Sequence, residues 1–155
     1  MKKILLLITL VISIFNSYSQ PIARPAIALI PQPFLLVQDN GVFTLPADVS
    51  VIISKNEEVK KIAQQFSKQL STATGYKINI KDGNTPALNS ISLSLTTDKT
   101  IPDEGYRLKI NKTGVNLFAR TPAGIFYGIQ TLLQLLPAEI TSNTSNKSKK
   151  WSMPF

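Results

Sequence analysis

Few residues in this chain are equipped for chemistry. Neither histidine nor cysteine occurs anywhere in the 155 residues. That excludes a histidine general base, a cysteine nucleophile and the usual zinc-ligand sets. The seven glycines are scattered singly, so there is no glycine-rich loop to cradle a phosphate. What remains is a pair of adjacent carboxylates, Asp103-Glu104, in the stretch TIPDEGY. Two carboxylates can share acid and base work across a scissile bond, but neighbours on an extended strand point to opposite faces. Placed after Pro102 and before a strand pattern, the pair reads as acidic residues solvating a turn. On this reading the chain holds no catalytic residue, no cofactor site and no metal site of its own.

The elements that would position any site come next, and the first question is where the mature protein starts. MKKILLLITLVISIFNSYSQ carries Lys2 and Lys3 ahead of an apolar run from Ile4 to Phe15, then small residues at Ser17 and Ser19. This is the layout of a secretory leader, expected to cover residues 1–19 and to be cut after Ser19. Twelve residues are too few to span a bilayer, which needs roughly 20. The mature chain is therefore expected to be exported, periplasmic or secreted, with no membrane attachment after cleavage. About 135 residues then remain, one domain's worth, and without cysteine their stability rests on packing.

The formal charge of +8 shrinks on inspection. Of the 17 basic residues, Lys2 and Lys3 belong to the leader and Lys147, Lys149 and Lys150 to a tail, which leaves 12 against 9 acidic residues, a net of +3. No stretch interleaves basic and aromatic residues, so the pI does not indicate a nucleic-acid partner.

Prolines 21, 25, 31 and 33 suggest an extended leading segment. Gly41 to Leu45 and Val49 to Ile53 read as short strands. A helix is expected from Ser54, with Glu57 completing a capping box, to a left-handed stop at Gly75. Val59, Ile62, Ala63, Phe66, Leu70 and Ala73 form its buried stripe, and Glu58, Lys60, Lys61, Gln65, Lys68 and Gln69 its water-facing side. Tyr76 to Lys81 and Ile91 to Leu95 alternate as half-buried strands. Tyr106 to Ile110 and Val115 to Ala119 form a hairpin with Gly114 free to take positive φ. The order implies an α+β domain in which a mixed sheet covers two helices. After Ile140 the tract TSNTSNKSKK reads as a linker, followed by apolar WSMPF.

The second helix, TPAGIFYGIQTLLQLLP from Thr121 to Pro137, has seventeen residues and no charge. Thr121 is suited to the N-cap, Pro122 to the first helical position, and Pro137 to the stop. Leu135, Leu132, Ile125, Leu136, Ile129, Leu133 and Phe126 fall on one arc and read as core. The opposite arc carries Tyr127, Gln130, Thr131 and Gln134, polar but uncharged. Either this is a neutral exposed face or it meets another protein surface. The absence of charge favours the second reading, because interface cores are depleted in charge and enriched in aromatics. Gly124 and Gly128 would permit a close backbone approach.

The run EGYRLKINKTGVNLFARTPAGIFYGIQTLLQLLP resembles the end of the non-catalytic N-terminal domain of bacterial β-N-acetylhexosaminidases of glycoside hydrolase family 20. The resemblance rests on Gly105, Tyr106, Gly114, Thr121, Gly124, Gly128, Gln130, Thr131, Leu132, Gln134 and Leu135, and more loosely on IPQP and the segment Val51 to Leu70. It implies a domain over residues 20–140, with 141–155 as linker and start of a catalytic (β/α)₈ barrel that is missing here. That barrel would be the partner in cis, contacted through Tyr127, Gln130, Thr131 and Gln134. It would bind the N-acetylhexosamine glycans and supply the catalytic Asp-Glu pair, which Asp103-Glu104 imitates only in letters. The implied function is a fragment of an exported hexosaminidase of carbohydrate metabolism, inactive alone. The alternatives are a free-standing exported binding or adaptor domain, and the similar helper domain found before other glycosidase barrels.

Overall fold

The computed structural model describes residues 27–155; the expected leader, residues 1–19, lies outside them. The elements in order are β1 (Val42–Thr44), β2 (Ser50–Ile53), α1 (Glu57–Thr74), β3 (Asn79–Asp82), β4 (Ser90–Leu95), β5 (Tyr106–Asn111), β6 (Gly114–Ala119), α2 (Pro122–Leu135), a 3₁₀ turn (Ala138–Thr141) and β7 (Ser152–Pro154). Five strands form one mixed sheet in the order β3-β2-β4-β6-β5. β2 runs parallel to β3 and to β4, β4 runs parallel to β6, and β5 and β6 form the antiparallel hairpin.

The register shows why these sequences share a sheet. Val51, Ile91, Val115 and Ile110 lie side by side across four strands, and Ile53, Leu93, Leu117 and Leu108 form the next row. Period-two alternation sends both rows to one face, where they meet Val59, Ala63, Phe66 and Leu70 of α1 and Ile125, Ile129 and Leu132 of α2 in one core. Full burial of such a side chain stabilises by roughly 1.5–3 kcal/mol. Both helices therefore lie on the same side of the sheet, which is the expected α+β arrangement.

Local chemistry departs from expectation at several points. The first helix is capped by Asn56, whose Oδ1 accepts from the backbone N–H groups of Glu58 and Val59 at 3.0 Å each; Ser54 is not the cap. Its hydroxyl oxygen accepts instead from Leu95 N at 2.9 Å, tying β2 to β4. The stop at Gly75 is as expected, with φ of 70°, a conformation that costs an L-residue about 1–2 kcal/mol. β3 begins at Asn79 rather than Tyr76. β4 is buried on both faces rather than half-buried, since Ser92 sits between Ile52 and Asn116 in the register. Ser92 and Ser94 also pair through their hydroxyls at 3.2 Å.

The C-terminal stretch corrects the boundary expected after Ile140. β7 pairs antiparallel with β1, and Trp151 and Met153 are fully buried in the domain core. The indole N–H of Trp151 donates to Asn146 O at 3.0 Å, Leu45 N donates to Trp151 O at 2.8 Å, and Asn146 N donates to Ala73 O at 2.9 Å. Polar composition suggested a linker, but the tract 141–150 is a loop pinned to this domain, and WSMPF supplies its closing strand.

Candidate functional site

The helix α2 is built as its sequence suggests. Thr121 is the N-cap, accepting from Gly124 N at 3.4 Å while its hydroxyl donates to the carbonyl oxygen of Asp103. Pro122 occupies the first turn, and the chain turns extended at Leu136 before Pro137, the conformation favoured before proline.

The helix faces the sheet at an angle that the expected apolar arc did not give. Its buried residues are Gly124, Ile125, Gly128, Ile129, Thr131 and Leu132, so the buried side is rotated toward the two glycines. A Cβ at Gly124 would stand 2.3 Å from Gly105 O, and one at Gly128 would stand 2.3 Å from a Leu117 methyl. The close backbone approach these glycines permit is thus to this domain's own sheet.

Two residues change sides as a result. Thr131, expected on the outward face, is 8% exposed, and its hydroxyl pairs with the Tyr106 hydroxyl at 2.5 Å. Phe126, expected in the core, is 42% exposed and stacks edge-on against Tyr127, centroids 5.7 Å apart.

Tyr127, Gln130 and Gln134 do lie exposed. Gln134 is also engaged within the chain, its Nε2 donating to Ile30 O and its Oε1 accepting from Ile30 N, both at 2.9 Å. Beside Gln130 a groove of about 160 Å³ runs between the helices, lined by Ile62, Gln65, Phe66 and Gln69 of α1 and Phe126, Ile129, Gln130 and Leu133 of α2. None of the eight is charged. Gln65 and Gln69 were expected to face bulk water with the lysines. Gln65 is indeed exposed and Gln69 half-buried, and both also border the groove.

Asp103 and Glu104 sit in an exposed turn closed by Gly105 N donating to Pro102 O at 2.9 Å. The Asp103 carboxylate is taken by Arg120 at 3.1 Å, so the pair does not converge on a common point. Among the described residues no helix is long and apolar enough to cross a membrane. What the geometry offers is a neutral, partly aromatic groove between the two helices.

Comparison with known proteins agrees with this fold. The family model described as "Glycosyl hydrolase family 20, domain 2" matches residues 26–153, and the chain belongs to that family. It is 35% identical over 117 residues to a β-hexosaminidase of Porphyromonas gingivalis, a match covering 76% of this chain and 15% of that protein. It is 28% identical over 113 residues to a β-N-acetylhexosaminidase of Cellulomonas fimi, covering 71% and 22%. The solved β-N-acetylhexosaminidase from Streptomyces coelicolor A3(2) shares the fold with a TM-score of 0.68 and 26% identity, over 76% of this chain and 23% of that one. The chain spans less than a quarter of the length of each of these relatives. The resemblance drawn from the hairpin and second helix, and the α+β fold class, are thereby established.

Proposed function

We propose that this chain is the non-catalytic N-terminal part of an exported β-N-acetylhexosaminidase and that the α1–α2 groove face docks on a catalytic (β/α)₈ domain in the same polypeptide. The observation that carries this reading is the groove, whose eight lining side chains include two phenylalanines, three glutamines and no charge. Elsewhere the same helix α1 meets water with Glu57, Glu58, Lys60, Lys61 and Lys68. An interface core is the environment that selects against charge in this way. The relatives named as hexosaminidases extend well beyond the matched part, which supports a catalytic partner in the same polypeptide.

On this reading the catalytic domain binds and hydrolyses terminal N-acetyl-β-hexosamine residues, and this domain stabilises it. The chain contributes no acid, base or nucleophile. The leader-like residues 1–19 support export to the periplasm or beyond.

Two measurements test the proposal. The purified chain is expected to hydrolyse no aryl N-acetyl-β-glucosaminide; hydrolysis abolished by Asp103→Asn or Glu104→Gln would overturn its inertness. In the full-length enzyme, Gln130→Glu should lower the unfolding temperature, because it places a charge in a desolvated contact. An unchanged unfolding temperature would argue against docking through this face.

A further inference from the structure

Resting on that reading, we infer that the run Phe34-Leu35-Leu36-Val37 is a second contact with the catalytic domain, separate from the helix face. Isolated exposed apolar residues such as Leu88 are ordinary on a protein surface. Here four stand in succession, Phe34 fully exposed, Leu35 at 76% and Val37 at 80%, with Leu36 at 46%. Consecutive apolar side chains facing water mark a contact surface. The run also belongs to a stretch, 27–38, that contains no charged residue, the property it shares with α2.

The run is strung between two anchors. Upstream, Ile30 is held through both its N–H and its carbonyl by Gln134 of α2. Downstream, Phe155 N donates to Gly41 O at 3.2 Å. The Phe155 ring lies across Gly41 so closely that a Cβ there would come within 2.3 Å of it. Phe34 is four residues from Ile30 and Val37 four from Gly41, so each end lies within about 14 Å of its anchor by chain reach. A catalytic domain docked on α2 lies beside one end of the run. The polypeptide that continues into that domain departs beside the other. An apolar arm between those two points falls within the footprint of the partner.

Thiol labelling of the full-length enzyme tests this directly, because these 155 residues contain no cysteine and labelled positions can be read by peptide mass. Leu35 and Leu88 are equally exposed in this domain, at 76% each, so Leu35→Cys and Leu88→Cys differ only if something covers one of them. The Leu35→Cys thiol is expected to react with a maleimide at least about tenfold more slowly than the Leu88→Cys thiol in the native enzyme, and at the same rate in urea. Equal native rates overturn the inference. A parallel Tyr127→Cys variant separates the two proposals. Protection at Tyr127 without protection at Leu35 removes the second contact and leaves helix docking intact, whereas protection at neither removes both.

Discussion

Adding one methyl group at Gly124 or Gly128 tests how α2 is seated. Glycine inside a helix costs about 1 kcal/mol relative to alanine, so on propensity alone both Gly→Ala changes should stabilise. The structure reverses that expectation to different degrees. At Gly124 the new methyl would lie 2.3 Å from the backbone oxygen of Gly105 and 2.8 Å from the Ala119 Cβ. Neither neighbour has a torsion to yield, so helix or hairpin must shift. Overpacking of this kind costs roughly 1–3 kcal/mol, and rigid backbone places Gly124 at the upper end. After the propensity gain, Gly124→Ala should lose about 2 kcal/mol. At Gly128 the obstacle is the Leu117 side chain, which can change rotamer within the core, so the net loss should be about 1 kcal/mol or less. For a domain of this size each kcal/mol moves the melting temperature by about 4 °C. Urea and thermal unfolding of the two variants would measure both values. Stability at or above wild type for Gly124→Ala, or a larger loss for Gly128→Ala, would refute the seating described here.

Asn56→Ala should cost about 1 kcal/mol and speed amide exchange at Glu58 and Val59. Ser54→Ala should instead expose Leu95 N to exchange, and the reverse pattern would restore Ser54 as the cap. Thr131→Val strands the Tyr106 hydroxyl and should cost about 1–3 kcal/mol. Adding Tyr106→Phe should recover part of that loss, and no recovery would show that the two hydroxyls are not a pair. The Glu139 carboxyl is held below its ordinary value, first by the hydrogen bond from Lys149 and then by a backbone hydrogen bond, against desolvation, with the lysine's charge adding to the lowering. Asp98 is lowered likewise, by Thr100 first, through its side chain and then its backbone, with Arg107 adding to it. Because both folded values are depressed, their stabilisation is present above the unfolded carboxylate range and is lost as pH falls through the folded values. The urea midpoint should therefore drop on acidification, and Lys149→Met should flatten that slope; an identical profile would remove Glu139 from the account.

The two helices, the alternating strands and the hairpin could be read from the sequence because their signals are local. Apolar spacing along α1, the Thr121-Pro122 start of α2 and the alternation of Tyr106, Leu108 and Ile110 each depend on neighbours in the chain. The same holds for the absence of histidine and thiol chemistry, which composition alone decides. Tertiary structure alone decided which residues face outward. Apolar spacing placed Phe126 in the core and Thr131 outside. The two glycines let the sheet approach α2 from one side, which buries Thr131 against Tyr106 and turns Phe126 out. Gln65 and Gln69 became part of the candidate docking face only because α2 lies beside α1. Trp151 and Met153 read as the beginning of another domain, because pairing between β7 and β1 spans more than a hundred residues and leaves no mark in either segment. Periodicity reports that a face is apolar; the helix rotation and the distant strand decide what that face meets.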